Sequence, residues 1–432
     1  MKDIHILCEI AARNSPKQNT PMKHTVKERF LTYVKIDTQA DPYSDAIPST
    51  AKQLDMSRQL SKELTAMGIA HEMSKEGYIY ATIPANTTKT NVPRIFFCSH
   101  VDTAYDASGT NVKPILHTNY QGGSITLPDD PTQVITEEKF PELKDKIGHD
   151  LITASGLTLL GADDKSGVAC IMDAAYQLVN NKDINHGEVK LFFTTDEEIG
   201  RGVKYADLDK IGADFGYTLD SGNIGNFEYE NFSANGLEIK ITGASAHPGY
   251  AKGKMESALK IAAEIVAKIP KDRLSPESTS DKEGFVHPYK LEGKMESASI
   301  LFIIRDFDTD KLAEHEALLK DLTESVLKDY PNSQYEIISK QQYRNMKEVM
   351  DDHMHVVDYA LEAMKNLDLP VNVGSIRGGT DGAVLSHKGL PCPNLFSGQH
   401  GIHSKLEWTT VQEMEAAVKT IVEICRIAEV KA

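Results

Sequence analysis

Short apolar runs rich in β-branched and aromatic residues alternate with segments of helical period along most of this chain, which restricts its fold more than any other feature. Phe30, Tyr33 and Val34 recur at helical spacing within 26–36. A second helical stretch covers 50–67, with Ser49 or Thr50 placed to cap it and Gly68 to end it. Strand-like runs follow at 78–83 and 94–98, then a long apolar helix at 166–179 and another strand at 189–194. Strands that alternate with helices build a largely parallel sheet covered on both faces.

At 432 residues the chain exceeds one ordinary hydrophobic core, so two domains are expected. The pattern changes after about Asn223. Residues 227–232 and 237–242 alternate around Asn235-Gly236 as an antiparallel hairpin would. Helices at 254–267 and 310–328 and strands near 297–304 and 334–339 complete a small α+β unit, read as an insertion. The α/β pattern resumes with a helix at 352–366, a Gly-rich stretch at 374–382 and a terminal helix from Thr410 to about Ala428. The polar segment 106–156 contains Pro114, Gly122-Gly123, Pro128 and Pro131 and is longer than most connections in a compact domain. It is expected to form a structured wall beside the motifs that flank it.

Composition excludes several classes of function. Hydrophobic residues at 40% and charged residues at 25% match ordinary globular usage. A formal charge of −16 with no basic run repels nucleic acid and anionic lipid, so neither is an expected partner. No stretch approaches the ~20 apolar residues that span a bilayer. The five cysteines, Cys8, Cys98, Cys170, Cys392 and Cys425, are scattered and never paired as Cys-x-x-Cys. They suggest neither a disulfide framework nor a thiolate metal site, and a cytoplasmic location fits them. Residues 1–21 read as a polar extension without the marks of a signal peptide.

Acids and histidines gather where the strand-like runs stop. Ser99-His100-Val101-Asp102-Thr103 follows one run, and alternate residues on extended backbone share a face, so His100 and Asp102 can point into one cavity. Gly161-Ala162-Asp163-Asp164-Lys165-Ser166-Gly167 opens the long helix. Capping would account for an acid there, but it does not need both. Asp196-Glu197-Glu198 follows the run at 189–194, where three adjacent carboxylates call for a cation or abundant solvent. Asp220 ends a fourth run, and His403, with His400 as its competitor, lies near the C-terminal end of the chain. Imidazoles and carboxylates at separate strand ends suit a two-metal site at the carboxyl edge of an α/β sheet. His353 and His355 stand two apart at a helix start, where residues so spaced do not share a face, so joint metal ligation is not expected.

Taken in order and spacing, Ser-His-Val-Asp-Thr from Ser99, Gly-Ala-Asp-Asp-Lys-Ser-Gly from Gly161, Thr-Asp-Glu-Glu-Ile-Gly from Thr195 and Leu-Asp-Ser-Gly from Leu219 resemble the M20 metallopeptidase family. Ile-Pro-Ser-Thr from Ile47, Ala-His-Pro-Gly-Tyr-Ala-Lys-Gly from Ala246 and Ile-Arg-Gly-Gly-Thr-Asp-Gly from Ile376 resemble its tripeptide aminopeptidase branch. The resemblance implies a zinc-peptidase-like α/β catalytic domain, its mixed sheet flanked by helices, with an inserted α+β lid and dimerisation domain. The division it suggests is 1–21 extension, 22–230 and 344–432 catalytic domain, and 231–343 insertion. It further implies two zinc ions per subunit, His100 and Asp220 on one, Glu198 and His403 on the other, and Asp163 bridging. Glu197 would be the general base that activates a water, Asp102 would orient His100, and the Asp163–Asp164 peptide bond would be cis. His247, Arg305 and Arg377 would bind substrate. The expected partners are short peptides, chiefly tripeptides, and a second copy of the chain in a homodimer. The sequence departs from the family where His403-Ser-Lys-Leu-Glu-Trp replaces a more usual His-Gly-Lys-His-Glu-Phe. Rival readings are another M20 amidohydrolase, a carboxypeptidase or deacylase, or a peptide-binding homologue without catalysis.

Overall fold

The computed structural model describes residues 25–432, so the extension at 1–21, with Cys8, and the start of the second segment at 22–24 lie outside the described residues. Eight strands form the central sheet: β1 (Ala70–Met73), β2 (Ile79–Ile83), β3 (Ile95–His100), β4 (Val189–Thr194), β5 (Phe215–Ser221), β6 (Asn226–Asn231), β7 (Asn372–Ile376) and β8 (Asn394–Phe396). Their order is β1-β2-β4-β3-β5-β8-β6-β7. The middle four are parallel, whereas β1/β2, β2/β4 and β8/β6 are antiparallel. The sheet is therefore mixed rather than largely parallel. A tight turn closed by Ser74 N–H donating to the Tyr78 carbonyl at 2.8 Å returns the chain directly from β1 to β2, and so short a connection permits only antiparallel pairing.

Alternation along each strand sends its side chains to two separate cores. Ile95 and Phe97 of β3 join the larger core beneath the helices Val26–Tyr33, Ala162–Asn180, Met354–Asn366 and Val411–Lys431. Phe96 and Cys98 join Tyr78, Phe192, Ile211 and Leu385 on the other face. The first helix starts at a capping box, Thr25 with Glu28, and buries Phe30 and Tyr33, each contributing about 2 kcal/mol. The second runs from Gln53 to Ala66 without a side-chain cap. Ser49 and Thr50 do not cap it: Ser49 binds the Asp196 carboxylate and Thr50 donates to the Gln39 carbonyl.

Residues 233–343 carry a second, wholly antiparallel sheet ordered Phe285–Gly293, Ser297–Asp306, Ser233–Thr242 and Gln334–Tyr343. Helices Ala258–Ala267 and Thr309–Leu327 pack with it around Leu237, Ile239, Ile300 and Phe302. The hairpin expected at Asn235-Gly236 does not exist. Residues 226–231 belong to the central sheet, and Asn235 and Gly236 lie inside one continuous strand, paired on both sides, with a register irregularity at Ala234/Asn235 against Gln334–Tyr343. Ladder bonds to two neighbours, and an Asn235 amide donating to Glu316 at 2.6 Å, override the local turn signal.

The segment 106–156 is structured. Ile115–His117 and Leu151–Thr153 pair with Trp408–Thr410 and Gln399–His400 in a third sheet, over a small core of Leu127, Leu143, Leu151 and Trp408. Behind it the buried Glu413 carboxylate accepts from Lys146 at 2.5 Å and meets His400 at 3.0 Å, while Glu142 meets the other imidazole nitrogen at 3.4 Å. Burial pushes the Glu413 carboxyl up, but His400 and Lys146 outweigh it and hold the pKa at about 2. Burial lowers the His400 pKa, but its acidic neighbours more than reverse this and leave it raised. A depressed acid contributes stability that is complete above its ordinary pKa and lost as pH falls. Urea denaturation of the metal-free protein should therefore show about 3 kcal/mol draining away from roughly pH 4.5 toward 2, an acid limb that Glu413→Gln flattens. The His400 contribution has the opposite sign, complete below its ordinary pKa and lost as pH rises through the raised one.

Candidate metal centre

Four connections at the carboxyl edge of the central sheet bring the acids and imidazoles together. His100 is the last residue of β3, and its Nε2 stands 3.0 Å from Asp163 Oδ1 and 4.0 Å from Asp220 Oδ1. Asp220 is the penultimate residue of β5, held by the Gln399 amide donating to its Oδ1 at 2.9 Å. His403, in a left-handed backbone conformation, brings its Nε2 to 3.3 Å from Asp163 Oδ2 and 3.0 Å from Glu198 Oε2. Its Nδ1 faces Asp106 Oδ2 at 3.2 Å. His100 is buried, whereas His403 is 43% exposed, so the cluster opens to solvent on the His403 side.

The Asp163 carboxylate thus turns one oxygen toward each imidazole. Its backbone and that of Asp164 depart from helical geometry at the start of Ala162–Asn180, and the bond between them is cis. Asp164 turns inward, accepting from Ser99 Oγ and from His100 N–H at 3.3 Å, and so steadies the end of β3. Sequence reasoning gave Asp164 no role, yet it lies with His100 and Asp220 in a group of three close enough to share an ion, as do His100, Asp163 and Glu198.

The three consecutive acids after β4 divide their tasks, which is how the chain avoids stacking like charges. Asp196 adopts a left-handed conformation that turns its carboxylate away, where Ser49 N–H, Ser49 Oγ and the Gln53 amide donate at 2.7, 2.5 and 2.6 Å. Glu197 and Glu198 are left facing the cluster, and their N–H groups both donate to Asp102, at 3.1 Å each. Asp102 is wholly buried, and His100 Nδ1 lies 3.1 Å from its carbonyl and 3.5 Å from its carboxylate. One acid therefore fixes both the His100 ring and the loop bearing two glutamates.

The electrostatics are those of a site short of positive charge. Burial and then the Asp163 charge push Asp220 up to about 7 and Glu198 up to about 8. Burial likewise raises Glu197, whose neighbours Asp381, Asp220 and Glu198 add to the effect. Hydrogen bonds to Asp163 and Glu198 lift His403 to about 11, and Asp163 is lowered by the two imidazoles despite its burial. Glu198 Oε1 and Asp164 Oδ1 are buried without a hydrogen-bond partner. Unpartnered oxygens amid crowded carboxylates and imidazoles fit divalent cations of borderline softness, zinc among them.

The remaining sequence-predicted residues lie on or against the 233–343 unit. His247 is exposed, accepts from Gly249 N–H at 3.2 Å and lies tilted against Tyr250, ring centres 5.5 Å apart. Arg305 donates to the Asn235 and Ile304 carbonyls and lies over the Tyr343 ring at 5.2 Å, with no carboxylate partner among the described residues. Arg377 donates to the carbonyls of Asp281 and Glu283 and packs over Phe232. None of the three touches the cluster itself.

The profile of peptidase family M20/M25/M40 matches residues 160–426. The chain belongs to this family of hydrolases. It is 45% identical over 412 residues to peptidase T of Bacillus pumilus, a span of 95% of this chain and 100% of that one. Peptidase T of Caldanaerobacter subterraneus is likewise 45% identical, over 93% of this chain and 98% of its own. Among solved structures, the fold matches aminopeptidase PepT from Bacillus cereus with a TM-score of 0.72 at 24% identity, covering 94% of this chain and 98% of that one. It also matches a dinuclear metal-binding M20 peptidase from Bacillus subtilis, with a TM-score of 0.63 at 14% identity, covering 93% and 97%.

Proposed function

We propose that this M20 peptidase is a dizinc aminopeptidase that releases the N-terminal residue of tripeptides. The observation that carries the reading is the Asp163 carboxylate between two imidazoles, 3.0 Å from His100 and 3.3 Å from His403, as a ligand shared by two ions would stand. His100 and Asp220 would hold one zinc and Glu198 and His403 the other. Bound there, zinc would supply Lewis acidity to the scissile carbonyl and acidity to a water at neutral pH. Glu197, half-buried and fixed at its N–H by Asp102, would take the proton of the attacking water and pass it to the departing amine. Asp102 would keep the His100 ring in place.

Arg305, lacking an acidic partner among the described residues, is suited to receive the substrate C-terminal carboxylate, and a fixed span from that guanidinium to the cluster would limit peptide length. Arg377 and His247 would reach the substrate through movement of the 233–343 unit, or from a second subunit in a homodimer. A cytoplasmic peptidase acting on short peptides accords with the likeness to peptidase T. Among the described residues no helix is long and apolar enough to cross a membrane.

The test is release of alanine from Ala-Ala-Ala beside Ala-Ala, tetra-alanine and N-acetyl-tri-alanine. Preference for the free tripeptide, lost on chelation, is expected. Cleavage of the acetylated peptide instead would indicate a deacylase.

A further inference from the structure

We infer that Glu407 is a positioning residue for the carboxylate between the two imidazoles, holding the Asp163 peptide in place before any ion binds; the inference rests on the dizinc reading. Glu407 is 1% exposed and forms no ion pair among the described residues. Its two oxygens are met by three main-chain donors. Oε2 accepts from Leu160 N–H and Gly161 N–H, both at 2.7 Å, and Oε1 accepts from Asp163 N–H at 2.9 Å. These donors lie at the non-helical entry to Ala162–Asn180, where the backbone has no turn of helix behind it to accept from them. Without Glu407 they would be buried and unpaired, which is costly for main-chain donors.

The same short segment carries His403. Ser404 Oγ donates to the Gly401 carbonyl at 2.6 Å and accepts from Leu406 N–H at 3.1 Å, closing a compact turn. Gly401 is in the left-handed region, and a Cβ there would stand 2.7 Å from the Leu406 carbonyl, so the turn requires glycine. Trp408, fully buried and paired with Thr153, anchors its far end. One rigid segment thus delivers an imidazole to the cluster and grips the peptide of the carboxylate opposite. Asp163 and His403 are set as a unit, an arrangement available to His-x-x-x-Glu only when the intervening residues turn back.

Glu407→Gln replaces one acceptor oxygen by a donor that faces another N–H group. Zinc affinity, measured by competition with a chromophoric chelator, should fall by about 10- to 100-fold. With zinc restored, kcat for Ala-Ala-Ala should stay reduced while KM is unchanged, because Glu407 touches no substrate. Zinc affinity within twofold of the unaltered protein would overturn the inference. Amide exchange in the unaltered protein gives a reading that does not depend on the variant folding. The amides of Leu160, Gly161 and Asp163 should be as protected without zinc as with it, and free exchange until zinc is added would overturn the assignment. Failure of the unaltered protein to bind zinc would count against the dizinc reading, whereas the exchange result bears on Glu407 alone.

Discussion

Glu197→Gln should lower kcat for Ala-Ala-Ala by about 10³-fold, within the range expected when a general base is removed, and leave zinc content and KM near their original values. The side chain keeps its volume, and its contact with Asp102 runs through the main chain, so the loop bearing Glu198 stays in place. What is lost is the group that accepts a proton from water and returns it to the amine. An amide can do neither. Stopped assays on free tripeptide, with zinc counted in the same samples, separate this from loss of metal. Turnover at an unaltered rate would remove Glu197 from the chemistry.

Asp163→Ala should act one step earlier. Its two oxygens face His100 and His403, so deleting the carboxylate takes a ligand from both proposed sites at once. Zinc retained after dialysis should fall below one ion per chain, and kcat/KM should drop by at least ~10³-fold, corresponding to several kcal/mol of transition-state stabilisation. Asp164→Asn should be milder, since that side chain serves Ser99 and the His100 N–H group. Equal zinc retention by Asp163→Ala and the unaltered protein would show that the carboxylate does not bridge.

The sequence was most legible where local chemistry and global placement agree. An acid or histidine at the end of an apolar strand is visible from the residues alone, and strand ends on one sheet edge converge in space, so His100, Asp220 and the run Asp196-Glu197-Glu198 stood out as candidates, whereas Glu198 was singled out only by the resemblance. Capping explains one helix-entry acid and not two, which marked the pair Asp163-Asp164, but the choice of Asp163 over Asp164 came from the resemblance. The cis bond at Asp163–Asp164 followed from resemblance and has no signature in composition. Asp196 was not separable from Glu197 and Glu198, because only its left-handed backbone sends the carboxylate to Ser49 and Gln53. Glu407 was invisible for a similar reason: its partners are main-chain groups some 246 positions away. The edge strand Phe285–Gly293 escaped notice because its latter half is exposed, polar and preceded by Pro288, leaving little alternation to read. Asn235-Gly236 misled because a turn signal is local, whereas pairing on both flanks is not.

The central claim, two ions held around one shared carboxylate for peptide hydrolysis, is tested most directly by titrating zinc into metal-free protein while following alanine release from Ala-Ala-Ala. The account predicts two zinc ions per chain at saturation and full activity only with the second. Full activity with chelator present, or a plateau at one ion, would contradict it.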